Sequence, residues 1–180
     1  MYYTSFMKNI ILTGLSGCGK TTTAKILSQK LKIMYFDTDA EIERTAGKSV
    51  KQIFDDDGEQ KFRSIESSVI SLLSVKRGVI ISTGGGAVLR QCNICELKQN
   101  GVIFYLKKSP KRILDCLKED TSRPLLLSET AEQKLYKLSS LFEQRSQIYK
   151  STADFTIDAE LLSPEQTANS VIKIFAALLP

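Results

Sequence analysis

Histidine is absent from the 180-residue chain. Without imidazole, a metal site must use oxygen or sulfur ligands, and a general base must be a carboxylate, a lysine or water. Histidine-dependent hydrolase triads are excluded. Cysteine is scarce, with four residues at positions 18, 92, 95 and 116. Cys92 and Cys95 form one CxxC without a second pair, too few ligands for a four-cysteine zinc knot. The pair opens a predicted helix and reads as two small residues rather than a redox couple. Reduced thiols and the lack of a secretory leader in MYYTSFMKNIILTG point to the cytoplasm. Residues 1–6 read as an accessory stretch, with Met7 a natural start before the first strand. Long apolar runs are missing too, so no membrane segment is expected. An excess of 25 basic over 20 acidic residues gives a net charge of +5. That suits an anionic ligand, but the basic residues are scattered, which argues against nucleic acid as a partner.

The chain is long enough for one ordinary core, and a second full domain would be cramped. Strand-like runs at Lys8–Thr13, Ile33–Phe36, Gly78–Ser82, Val102–Leu106 and Asp154–Ile157 alternate with helical periodicity. Helices are predicted at Lys20–Leu31, near Thr38–Ala46 and Ser49–Phe54, and across Glu59–Val75. Three more run from Pro110 to about Lys118, from about Ala131 to Lys150, and after Pro164. Residues 119–130 read as a mobile loop. Such alternation predicts one three-layer α/β domain with a central parallel sheet, its ligands gathered outside the carboxyl ends of the strands.

Between the first strand and helix lies Gly14-Leu15-Ser16-Gly17-Cys18-Gly19-Lys20-Thr21, a full match to the phosphate-binding pattern G-x-x-x-x-G-K-[ST]. Glycines let backbone N–H groups surround phosphate oxygens, and the helix start adds its positive dipole end. Lys20 can reach the β- and γ-phosphates, and the Thr21 hydroxyl is placed to ligate Mg²⁺. Cys18 reads as a small residue in a tight loop. The second strand runs into Phe36-Asp37-Thr38-Asp39, whose carboxylates stand two apart. Asp37 reads equally as a helix cap, whereas Asp39 is a candidate acceptor ligand. Asp57-Gly58-Glu59 precedes Phe62-Arg63, with Glu66 spaced to hold Arg63. Ser82-Thr83-Gly84-Gly85-Gly86 would let a ligand lie against bare backbone, and Arg145 sits four residues before Tyr149. A carboxylate, glycine backbone and two arginines suggest a small, anionic, hydroxyl-bearing acceptor.

These motifs, with Arg123-Pro124-Leu125-Leu126, Arg145-Ser146-Gln147-Ile148-Tyr149 and Ile157-Asp158 before Pro164, resemble the shikimate kinase family over about residues 8 to 170. The resemblance implies a P-loop NTPase fold of the nucleoside-monophosphate-kinase type, filling residues 1–180, with a lid at about 117–131. It implies transfer of the ATP γ-phosphate to the 3-hydroxyl of shikimate, with Mg²⁺ as cofactor, in a monomer that engages neither nucleic acid nor membrane. Lys20, Asp39 and Arg123 would be catalytic. ATP would meet Gly14, Gly17, Cys18, Gly19, Lys20, Thr21, Thr22, Arg123 and Pro164. Shikimate would meet Asp39, Arg63, Gly84, Gly85, Gly86 and Arg145. Thr21 would hold Mg²⁺, with Asp37 and Ser82 acting through water, Ser82 standing where other phosphate-loop enzymes keep a Walker B aspartate. The chain departs from the family's pattern at Cys116, where a basic residue often stacks on adenine, and at Ser163, where an amide-bearing residue is common. A gluconate or nucleoside monophosphate kinase is the nearest rival, and a nucleotide switch the next. A GTPase would be expected to carry N-K-x-D, which the sequence lacks.

Overall fold

The computed structural model describes residues 8–119 and 130–178. Arg123 and residues 120–129 of the predicted lid lie outside them. The central strand β1 (Asn9–Thr13) is buried at every position, as a strand covered on both faces must be. It is followed by α1 (Lys20–Leu31), β2 (Tyr35–Asp37), α2 (Thr38–Ala46), α3 (Val50–Ser74) and β3 (Ile80–Ser82). A short 3₁₀ turn at Ala87–Leu89 leads into α4 (Gln91–Asn100) and β4 (Gly101–Lys107). Then come α5 (Pro110–Glu119), α6 (Ala131–Thr152), β5 (Phe155–Asp158) and α7 (Pro164–Ala176).

The five strands pair in the order β2-β3-β1-β4-β5, every pair parallel. Parallel crossovers are right-handed. The step from β1 out to β2 therefore puts α1 on one face, and the returning steps put α3, α4 and α6 on the other. α7 comes back to pack against α1. The expected parallel α/β domain is what the chain forms, and the core runs through Ile10, Ile11, Leu12, Ile80, Ile81, Ile103 and Phe104.

Two strands start two residues later than the sequence suggests. Lys32 adopts φ 55° as the left-handed end of α1, and the Ser28 hydroxyl donates to the Ile33 carbonyl at 2.6 Å. Ile33 is thereby used in closing the helix, and β2 begins at Tyr35, just after the Met34 carbonyl has accepted the N–H of Ile80 at 2.9 Å. Before β3, the N–H of Val79 donates to the Asn9 side chain at 3.1 Å, so strand pairing starts one residue later. The two helices expected at 49–54 and 59–75 abut as a single kinked element. Its break is at Gly58, with φ 80° and ψ 169°, and Asp55 to Asp57 join the first half. Ser49, Thr130 and Ser163 each cap a helix through a reciprocal box with the glutamine three residues on.

Candidate active site

Strand register brings the site together. Asp37 lies opposite Ser82, and Ser82 opposite Leu12. The carboxyl ends of β2, β3 and β1 therefore finish level, and the segments that follow them line one cleft of about 630 Å³.

The phosphate loop forms one wall. Gly19 has φ 99°, a backbone angle that disfavours a side chain, and it caps α1 without a side-chain acceptor. The first-turn N–H groups of α1 are left to a ligand. Lys20 is buried, its ammonium donating to the carbonyls of Gly14 and Leu15 at 2.8 Å each. Cys18 is buried beneath the loop with its sulfur 3.9 Å from that ammonium. Gly17, Gly19, Thr21 and Thr22 line the cleft.

Beside the loop is a cluster of oxygens. The Thr21 and Ser82 hydroxyls donate to Asp37 Oδ2 at 2.7 and 3.0 Å and lie 3.4 Å from each other. Asp37 Oδ1 meanwhile accepts the N–H of Asp39 at 3.1 Å and caps α2. The capping and site readings of Asp37 therefore both hold, one per oxygen.

Asp39 stands on the cleft floor, open to the cleft but crowded by protein elsewhere. Desolvation is the largest influence on its carboxyl, followed by the Asp37 charge, and together they raise it to about 6 against the pull of Lys20. The turn after β3 passes close by. The N–H of Gly84 donates to the Thr38 hydroxyl at 2.7 Å. A Cβ at Gly84 would meet Asp39 Oδ1 at 2.6 Å and Glu66 Oε1 at 3.2 Å. One at Gly85 would come 3.2 Å from the Ser16 backbone nitrogen. The three-glycine turn thus rests directly on the phosphate loop.

Behind that turn, Arg63 donates to Glu66 Oε2 at 2.8 Å and to Glu59 at 3.3 Å. Gly86 is its seat, because the guanidinium occupies the space a Cβ would need. Glu66 is fully buried, and its Oε1 has no hydrogen-bond partner among the described residues. Asp57, grouped with this cluster in the sequence, instead pairs with Lys48 at 3.0 Å. Arg145 donates to the Gly85 carbonyl at 3.2 Å, and the buried Tyr149 hydroxyl donates to the same oxygen. Burial pushes the Tyr149 phenol up, with Arg145 opposing, so the hydroxyl keeps its proton to donate. Pro164 and Ser163 line the far end of the cleft, where the Ser163 hydroxyl also caps α7.

The family model described as shikimate kinase matches residues 16–176. The chain belongs to the shikimate kinase family. The shikimate kinase of Thermodesulfovibrio yellowstonii is 42% identical over 172 residues, 96% of this chain and 97% of the relative. That of Caldicellulosiruptor saccharolyticus is 44% identical over 171 residues, 95% and 97% of the two chains. The solved shikimate kinase from Acinetobacter baumannii in complex with shikimate superposes with a TM-score of 0.83 at 34% identity, covering 97% of this chain and 96% of its own. Family membership makes the chain an ATP-dependent kinase.

Sequence reasoning passed over several side chains of this kinase's cleft. Thr38 lay unnoticed inside the FDTD motif, although its hydroxyl ties α2 to the glycine turn. Lys108 and Arg112 line the cleft as well. Their signal was available, because both lie just beyond the carboxyl end of a parallel strand. Cys92 and Cys95 are exposed free thiols on α4.

Proposed function

We propose that the chain phosphorylates the 3-hydroxyl of shikimate with ATP, releasing ADP and 3-phosphoshikimate. The observation that carries this reading is the contact of the three-glycine turn with the phosphate loop. It supports reading Asp39, Arg63, Gly85 and Arg145 as an acceptor pocket that faces a triphosphate site. In-line transfer needs its two reactants at van der Waals separation.

Arg63 and Arg145 grip the shikimate carboxylate, and Gly85 lends backbone. Asp39 accepts a hydrogen bond from the attacking hydroxyl and holds it in line. A carboxyl raised to about 6 is also better matched to receiving that proton near neutral pH than an ordinary aspartate is. Glu66 Oε1, a buried acceptor without a donor among the described residues, offers a further anchor to a polyhydroxylated guest. Lys20 leaves the Gly14 and Leu15 carbonyls for the phosphates. Arg123, which lies outside the described residues, would add positive charge for the phosphates.

The cluster of Thr21, Asp37 and Ser82 fits Mg²⁺. It is all oxygen, with one carboxylate among hydroxyls, and Mg²⁺ characteristically completes its shell with water and phosphate. Among the described residues no group of three or more Cys, Asp or Glu side chains could hold a metal, and this mode of binding needs none. Bound there, held by Thr21 directly and by Asp37 and Ser82 through water, Mg²⁺ would neutralise charge on the phosphates. A monomer belongs to the same reading, as does a cytoplasmic location, which the four free cysteines support. Among the described residues no helix is long and apolar enough to cross a membrane.

Coupled ADP release tests the proposal. Release from ATP and Mg²⁺ should depend on shikimate and stay at background with gluconate or a nucleoside monophosphate. Equal stimulation by gluconate would overturn it.

A further inference from the structure

Lys108, Arg112 and Cys116 are spaced four residues apart and all line the cleft at the end away from Asp39. Lys108 is only 8% exposed. Its ammonium lies 3.9 Å from Cys116 Sγ, a weak acceptor, and among the described residues it makes no ion pair. The Glu160 carboxylate feels the Lys108 charge from beyond ion-pair distance. The buried ammonium therefore has a thiol alone within hydrogen-bond range among the described residues and can take a further acceptor.

The neighbouring charges are partly engaged. Arg112 Nε donates to the Glu160 carbonyl at 3.2 Å. The two Glu160 carboxylate oxygens accept the Ser109 N–H at 2.7 Å and its hydroxyl at 2.6 Å. These bonds staple the start of α5 to the loop after β5, fixing the two walls between which Lys108 points. The walls are apolar at Leu117, Leu162 and Pro164. The triphosphate has its own donors at Lys20 and the first turn of α1. What remains for the Lys108 end is a flat group with ring acceptors and a π-face.

We propose that Lys108 recognises the base of the bound nucleotide, its ammonium reaching past the small Cys116 side chain to contact the ring. It is a specificity-determining residue for the nucleotide, and the inference rests on reading this cleft as a nucleotide site.

Calorimetric titration of the full chain and its Lys108→Met variant with ADP, AMP and tripolyphosphate tests this. Loss of the ammonium should weaken ADP and AMP binding about tenfold, as expected for a desolvated cation on a ring. Tripolyphosphate affinity should stay within about twofold, since it lacks a base. Unchanged ADP affinity would overturn the proposal. So would an equal loss for tripolyphosphate, which would make Lys108 a phosphate ligand. If Lys108→Met fails to fold, Lys108→Gln removes the charge while keeping a polar head and carries the same comparison. Failure of the unaltered chain to bind ADP would instead bring down the nucleotide reading itself.

Discussion

Asp39 is under two opposing demands. To hold a hydroxyl it should be ionised, yet crowding and the Asp37 charge raise its carboxyl from 3.8 to about 6. The folded state therefore binds this proton more tightly than the unfolded chain does. Its contribution to stability is fully present below about pH 4 and is lost as pH rises through about 6. On the proposed mechanism activity runs the other way, because ionised Asp39 would be the form that accepts the hydroxyl. The kcat/KM for shikimate should fall as pH drops through about 6. Asp39→Asn should lose most activity, and its melting temperature should gain on that of the wild type as pH rises from about 4 to 6. A difference in melting temperature between the two that stayed constant across that interval would contradict the assignment. The arginines give a second test at this scale. A hydrogen bond between charged partners contributes about 1.5–3 kcal/mol, so Arg63→Ala or Arg145→Ala should raise the KM for shikimate about ten- to a hundredfold. The KM for ATP should stay close to wild type. If shikimate KM were unchanged while ATP binding was lost, the acceptor pocket would be misassigned.

Among the elements, α3 shows most clearly how local chemistry serves the site. Its first half is launched by the Ser49 box and its second half carries Arg63 and Glu66, with Gly58 turning one into the other. Gly58 has φ 80° and ψ 169°, a conformation essentially confined to glycine, and a Cβ there would meet nothing within 4 Å. The cost of Gly58→Ala is therefore backbone strain alone, about 1–3 kcal/mol. Chemical denaturation should show that loss, and a rise in shikimate KM should accompany it as Arg63 shifts. An alanine variant with unchanged stability would mean that the kink is not held by Gly58. Much at this scale was legible. Lys20–Leu31 and Thr38–Ala46 were anticipated residue for residue, because a glycine-rich turn and an aspartate cap mark their starts. The early ends of β2 and β3 were not, since they depend on Ser28 and Asn9 bonding backbone that hydropathy assigns to strands.

For the whole molecule, sheet order decides what meets. β1 and β3 are neighbours, so a phosphate loop and a glycine turn some 70 residues apart in the chain come to share one crevice. Motif spelling announced both segments, but not their contact. That Gly86 seats a guanidinium, or that Tyr149 reaches Gly85 across 64 positions, is a fact of packing between helices and carries no local signal. Lys108 was hidden for a different reason, since one lysine after a strand looks like solvated surface until its burial is known. The central claim is that nucleotide and shikimate lie end to end across this crevice, with a hydroxyl aimed at the γ-phosphate. NMR of the product formed from shikimate, ATP and Mg²⁺ tests it most directly. Phosphorus–proton coupling at the carbon bearing the 3-hydroxyl is the predicted result. Phosphate on another oxygen, or shikimate recovered unchanged while ATP is consumed, would contradict it.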